Sequence, residues 1–542
     1  MMMKNRIKIL SVAVTTALLT GCFNGESDTP EADRYTPPPP SKVNWAKTNA
    51  WFDAGKQTVY NAGQLEEILT QGAAKNVILF VGDGMGISTV TASRIFAGQL
   101  AGMDGEEYQL SFEKFPVAGF SKTYNTNQQT PDSAGTMTAM ISGVKTKAGV
   151  IGYSEDALRA NCASAKGKEL VTALELAEMA GKSTGILSTA RITHATPAAA
   201  YSKSPERNWE SDDSLTSEAK LNGCTDIASQ LIEFKYGDGI DVVMGGGRRH
   251  FLPNTVIDEE GKSGKRKDGR HLINEWKAQY TTGVYVYDQA GFDALDSTVT
   301  HKVFGLFNSS HMEYESDREN DTAGEPSLSQ MTQKSIDILS KNDKGFFLMV
   351  ESGRIDHGHH AGNAYRALED TVEFSKAVQA AVDTVDLSET LIIVTADHSH
   401  VFTLAGYATR GNPILGLVKS NDAAGNPLSD AVLAKDNMPY TSAGYRNGLG
   451  FADYGFGNGG EQRYADPAAT GRFDLTAMDI EHEGFHQEAL VPLSSETHAG
   501  EDVGIYAIGP GAQLLRGTHE QSNIFHAINY SADLINKAET AK

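Results

Sequence analysis

Cysteine is nearly absent from this chain, with three residues in 542. Basic residues are also in short supply: 47 Lys and Arg stand against 69 Asp and Glu, for a formal charge of −22. A field of that sign argues against a nucleic-acid backbone as partner. It also repels small anions at long range, so any anion chemistry needs local cations, from arginine or metal. Beyond the N-terminus, no apolar run is long enough to cross a bilayer. There is no internal repeat, no fibre-like excess of glycine or proline, and no shortage of apolar residues, which make up 40%. These absences leave a large globular protein with an acidic, solvated surface, too long for one small domain.

The N-terminus carries a targeting pattern. Lys4, Arg6 and Lys8 precede an apolar run, Ile9 to Leu19, which leads into Leu19-Thr20-Gly21-Cys22. The run is too short to span a membrane, so residues 1–21 read as an export signal. Its end resembles a bacterial lipobox. That resemblance implies cleavage before Cys22, lipidation of its thiol, and anchoring to the bacterial cell envelope (periplasm, outer membrane or cell surface). Ordinary secretion with an incidental Cys22 is the alternative. Loss of the three cations takes the charge from −22 to −25. Residues 22–44, with Pro37 to Pro40, read as an extended tether. An oxidising compartment favours one disulfide between the remaining Cys162 and Cys224 over two free thiols. Such a link contributes roughly 4 kcal/mol in the chain-entropy picture.

Short apolar runs read as buried strands: Val77 to Val81, Thr184 to Leu187, Ile240 to Met244, Phe346 to Val350, Thr390 to Val394 and Val503 to Ile508. Helical patterns alternate with them, at Glu169 to Ala180, Asp226 to Phe234, Ser327 to Leu339, Tyr365 to Val385 and about Ile524 to Lys537. The alternation predicts a three-layer α/β/α fold around a large, mostly parallel sheet. Its core comprises residues 45–405 and 490–542. The segment 406–489, rich in Gly, Asn and aromatics, reads as an inserted, crown-like subdomain.

Metal-competent residues follow the strand ends. Asp83 follows the first strand, Thr193 to Thr196 the second, Glu351 the Phe346 strand, and Asp397-His398 the Thr390 strand. Ligand sites in open α/β sheets gather beyond the carboxyl ends of strands, so four such ends suggest one shared site. Asp356 and His360 are four apart and share a helix face, a spacing that suits zinc as well as a solvated cluster. His498 adds an imidazole just before a strand. Asp83 sits in Gly82-Asp83-Gly84-Met85-Gly86, placed to hold a cation or simply to make a turn. Ser133, in Pro131-Asp132-Ser133-Ala134-Gly135, stands at a helix start. There it is either a cap or a group presented to an anion. No Gly-x-Ser-x-Gly elbow surrounds it, which disfavours a Ser-His-Asp triad.

Taken together, these motifs resemble those of the alkaline phosphatases, and the animal-type and marine bacterial branch in particular. The resemblance spans roughly residues 45–535. It rests on Val81 to Gly86, Pro131 to Gly135, Thr193 to Ala198, Glu206-Arg207-Asn208-Trp209, Val350 to His360, Thr395 to His400 and Glu496 to Asp502, in the family's order. It implies a phosphate monoesterase with two Zn²⁺ and one Mg²⁺ per subunit, acting through a phosphoserine. One zinc is then held by Asp356, His360 and His498. The other is held by Asp83, Asp397 and His398, with Ser133 exchangeable. Magnesium takes Asp83, Thr196 and Glu351, with His194 nearby. Arg207 is implied as the phosphate clamp, Asp132 and His357 as further substrate-binding groups, and Cys162–Cys224 as a disulfide. Homodimerisation and small phosphomonoester substrates follow from the same resemblance. A peripheral calcium site would use Glu218, Phe307, Asn308 and Glu325. Asn308 stands where the family has a carboxylate, which weakens Ca²⁺ binding. The competing readings are a phosphodiesterase or sulfatase on the same scaffold, and a metal- or phosphate-binding lipoprotein without turnover. Ser133, Thr196, Glu351 and Arg207 together favour the monoesterase.

Overall fold

The run Asn76–Gly82 is buried at every position because it lies near the middle of a ten-stranded sheet. Its alternate side chains enter two different cores. Val77, Leu79 and Val81 pack into one, and Ile78 and Phe80 into the other. A strand covered on both faces has no polar side to show, which is why its sequence is continuously apolar. The computed structural model describes residues 73–449, 472 and 474–541. The expected export signal, the tether and Cys22 lie outside the described residues, as do 450–471 and 473 of the expected insertion. All described residues belong to one compact unit, 62–542.

In chain order the strands are β1 (Asn76–Gly82), β2 (Val117–Lys122), β3 (Ser183–Arg191), β4 (Val242–Gly246), β5 (Val284–Val286), β6 (Val303–Asn308), β7 (Phe346–Ser352), β8 (Thr390–Ala396), β9 (Ser399–His400), β10 (Phe402–Leu404), β11 (Ala443–Gly448), β12 (Ala489–Pro492), β13 (His498–Ala499), β14 (Val503–Ile508) and β15 (Gly517–Glu520). The main sheet runs β15-β2-β14-β8-β1-β7-β3-β4-β6-β5. Only β14 is antiparallel to its neighbours, β8 and β2. The fold is therefore α/β with a large, mostly parallel sheet, as the alternation of runs predicts.

Strand order positions the site. The central neighbours β8, β1, β7 and β3 end together, with Gly82 level with both Ala396 and Ser352, and Glu351 level with Ser188. Because β14 runs the other way, it begins where β8 ends, which brings β13 to the same edge. There β13 pairs with β9, His498 opposite His400. Within and beside the 406–489 segment, β10, β11 and β12 form a separate three-stranded sheet.

Helix ends follow their caps. Ser327 caps Leu328–Leu339 in a box with Gln330, at the position the sequence suggests. The expected helix from Glu169 starts later, at Ala173, because Thr172 and Glu175 form a capping box there. The expected single C-terminal helix is two, Asn523–Ala532 and Leu534–Thr540, separated by Asp533 at φ 54°. Cys162 and Cys224 are bonded to each other.

Candidate active site

Three groups of donors meet beyond the strand ends. In the first, Asp356 Oδ1 lies 3.3 Å from Nε2 of His360 and 3.3 Å from Nε2 of His498. Asp356 and His360 sit four apart on the helix Arg354–His360, and His498 comes from β13. Each histidine uses its other nitrogen on a backbone carbonyl: His360 Nδ1 on Glu496 at 2.7 Å, His498 Nδ1 on Pro131 at 2.8 Å. A carbonyl only accepts, so each ring carries its proton on Nδ1. Both Nε2 lone pairs then face each other across 3.1 Å, with the Asp356 carboxylate beside them. Three lone pairs aimed at one point repel unless a cation lies between them, and this arrangement of histidines anchored through carbonyls is how metals are held.

The second group is Asp83, Asp397 and His398, all fully buried. His398 Nε2 stands 3.3 Å from Asp83 Oδ1, 3.3 Å from Asp397 Oδ2 and 3.1 Å from Ser133 Oγ. Asp397 Oδ1 accepts from the amides of Gly84 at 3.0 Å and His398 at 2.9 Å. Neither oxygen of Asp83, nor Oδ2 of Asp397, is offered a donor in hydrogen-bonding geometry. Burial, and then the neighbouring Asp397, Asp356 and Glu351, push the Asp83 carboxyl well above its usual range. Beside it, Asp83, His194 and Glu351 form the third group. Thr196 Oγ1 and Glu351 Oε1 are buried there without partners. Burial raises Glu351 to about 7, and burial followed by Arg207 and Arg191 drives His194 down to about 3. Buried oxygens left unpaired cost free energy, and the donor sets suit cations: nitrogen and oxygen for zinc, oxygen for magnesium.

Ser133 opens the helix Ser133–Ser142, capped by Asp132, whose Oδ1 accepts from Gly135 N at 3.2 Å and Gly149 N at 2.9 Å. The other Asp132 oxygen receives Arg207 Nη1 at 3.1 Å, and Arg207 Nη2 donates to His194 Nε2 at 3.2 Å. His357 Nδ1 accepts from Arg354 at 3.1 Å, which leaves its proton on Nε2.

Each residue expected at a calcium site accepts a hydrogen bond within the protein, while Glu325 Oε2 is buried and offered no donor. The Glu218 carboxylate accepts from the amides of Cys162 and Ala163, both at 3.0 Å. The Phe307 carbonyl accepts from Arg248 at 3.1 Å, and Asn308 Oδ1 from Ser310 N at 3.1 Å. Glu325 receives the amide of Glu313. These bonds set the Glu218 carboxylate at the start of the short helix Cys162–Ala165, beside the disulfide.

Two residues at the first group have no role in the sequence reading. His400 donates Nε2 to Asp356 at 2.9 Å and Nδ1 to Glu496 at 2.6 Å. Burial alone would lower this imidazole, but Glu496 and Asp356 raise it to about 10, so it stays protonated and braces the carboxylate. Their signal was present as spacing, since His400 lies two beyond His398 on an extended segment and Glu496 two before His498.

The chain is similar to known proteins along most of its length. The family model described as alkaline phosphatase matches residues 74–534. The human tissue-nonspecific alkaline phosphatase isozyme is 44% identical over 490 residues, covering 89% of this chain and 88% of the relative. An alkaline phosphatase of Gadus morhua is 43% identical over 489 residues, covering 89% and 96%. Among solved structures, Thermus thermophilus alkaline phosphatase aligns with a TM-score of 0.60 at 23% identity, covering 88% of this chain and 97% of that one. The alkaline phosphatase of the Antarctic bacterium TAB5 gives 0.56 at 22% identity, covering 85% and 99%, a likeness of fold. The chain belongs to the alkaline phosphatase family, enzymes that hydrolyse phosphate monoesters.

Proposed function

We propose that this protein hydrolyses phosphate monoesters through a covalent phosphoserine on Ser133, with two zinc ions and one magnesium ion as resident cofactors. The observation that carries the reading is the meeting of the His360, His498 and Asp356 lone pairs close to the unpaired oxygens of Asp83, at the end of the helix that Ser133 opens. Asp356, His360 and His498 would hold one zinc; Asp83, Asp397 and His398 the other; and Asp83, Thr196 and Glu351, with His194 beside them, the magnesium. When bound, these ions supply positive charge that lowers the serine pKa, stabilises the departing oxygen, and draws an anionic substrate into an acidic protein.

The chain's own groups do the rest. Ser133 Oγ loses its proton and attacks phosphorus in line. The Oγ–P bond forms as the ester P–O bond breaks, and the alcohol leaves with a proton. Arg207, steadied by Asp132 and His194, grips two non-bridging oxygens with parallel N–H donors. His357, with its proton on Nε2, donates to phosphate through a water. Water then attacks the phosphoserine from the vacated side. Its oxygen bonds to phosphorus as the Oγ–P bond breaks, phosphate departs, and Ser133 recovers a proton.

The same reading includes cleavage before Cys22, lipid anchoring to the cell envelope, assembly as a homodimer, and a crown-like insertion at 406–489 on a core of 45–405 and 490–542. Among the described residues no helix is long and apolar enough to cross a membrane. The deciding experiment compares p-nitrophenyl phosphate with its bis(p-nitrophenyl) diester and a sulfate ester. Faster turnover of the diester or the sulfate overturns the monoesterase reading. Ser133→Ala should abolish phosphoenzyme formation while zinc stays bound; full activity would refute the nucleophile.

A further inference from the structure

Three arginines at the site each end on one imidazole. Arg207 donates to His194, Arg354 to His357, and Arg191 to Nε2 of His311. The three rings pack on one another, with centroids 4.1 Å apart for His311–His357, 5.4 Å for His194–His311 and 5.7 Å for His194–His357. All three keep some solvent exposure. His194 and His357 already have places in the proposed site. His311, on the loop after β6, has none, yet it makes the shortest ring contact of the three.

Its setting is built rather than accidental. Arg191 is fixed by Glu210 through two bonds, at 2.8 and 2.7 Å. The Arg191 amide also points at His311 Nδ1, at 3.3 Å. A neutral imidazole has one lone pair to offer, and a guanidinium only donates. The closer guanidinium therefore takes the lone pair on Nε2. The ring is then pinned in one plane, edge-on to His357. His311 in this way links the anchored Arg191 to the side chain expected to reach phosphate, and abuts the ring on which Arg207 rests.

We propose that His311 is a positioning residue for phosphate: by accepting from Arg191 and packing on His357 and His194, it holds His357 and Arg207 in register with the substrate. The proposal rests on the phosphomonoesterase reading above. A group that positions without touching the reacting atoms should act on phosphate binding more than on chemistry. His311→Ala is expected to raise both KM for p-nitrophenyl phosphate and the inhibition constant of inorganic phosphate by about tenfold, the loss of one hydrogen bond from a charged guanidinium. It should leave kcat within about twofold and zinc content unchanged. His311→Gln, which keeps an acceptor within reach of Arg191, should recover most of the loss. His311→Phe keeps the ring bulk but cannot accept, so it serves if the alanine variant does not fold, and it should weaken phosphate binding likewise. Unchanged KM and phosphate inhibition in the alanine and phenylalanine variants overturn the proposal, as does a loss confined to kcat and accompanied by lost zinc. Wild-type enzyme and Ser133→Ala run alongside separate the two readings. An inactive wild type, or an active Ser133→Ala, refutes the underlying mechanism rather than the role of His311.

Discussion

Gly84→Ala offers a measurable test of how the site is packed. Gly84 follows Asp83 at φ +69°, and its amide donates to Asp397. A Cβ built there would stand 2.2 Å from His400 Nε2 and 3.3 Å from the Asp356 Cα. The His400 ring cannot simply swing away, because it is fully buried and held by Glu496 and Asp356. Two costs therefore add. A left-handed backbone costs an alanine about 1–2 kcal/mol, and overpacking a rigid site adds about 1–3 kcal/mol. Gly102→Ala isolates the first cost, since Gly102 has φ +77° and nothing within 4 Å of its added Cβ. Calorimetry on both variants should place Gly84→Ala below Gly102→Ala by several degrees, at about 2 °C per kcal/mol for a large domain. Displacing His400 also removes the brace on Asp356. A lost brace of this kind costs about 10–100-fold in metal affinity, read as the chelator concentration that halves activity. Gly102→Ala should leave that concentration unchanged. If the two variants match in both melting and chelator midpoint, the packing of His400 against the glycine turn is not what holds Asp356.

Chelation should inactivate the enzyme and lower its melting temperature, with zinc plus magnesium restoring both; full activity in protein shown metal-free by elemental analysis would contradict this. Glu178 tests the pH dependence away from the site. Burial raises it to about 8, even though Thr184 donates to it. Between its ordinary value and about 8 the folded protein keeps a proton that the unfolded chain releases, so stability falls as pH rises through that window. Glu178→Gln removes the slope, and its advantage over wild type should grow between pH 5 and 9 by up to about 5 kcal/mol; parallel curves in denaturant titrations would show that Glu178 ionises freely. Arg207→Lys should lose about 10–100-fold in kcat/KM, because an ammonium cannot match two phosphate oxygens and Asp132 with one planar fork; near-wild-type kinetics would remove Arg207 from the clamp.

The strand runs were legible because strands covered on both faces are continuously apolar, as at Asn76–Gly82. Short or one-sided strands were not. Val117–Lys122 alternates buried and exposed positions over only six residues, and Gly517–Glu520 contains no aliphatic side chain. The break at Asp533 was hidden because an Asp in the left-handed region leaves no mark in apolar spacing. The helical pattern from Glu169 to Ala180 holds only from Ala173, because Tyr153 pairs with Glu169 in an isolated bridge before it.

The sequence by itself determined which side chains stand at strand ends: Asp83, Glu351 and Asp397-His398 each follow an apolar run, and Ser133 stands at a helix start. Those are local facts, carried by covalent neighbours and by the spacing of apolar residues. Only the tertiary structure decided that β8, β1, β7 and β3 lie side by side, that His498 faces His360 across 138 positions, and that His311 and His400 join the site. Strand order and ring orientation depend on which surfaces pack and which carbonyls take the Nδ1 protons. Those are contacts between distant segments, and no local spacing records them.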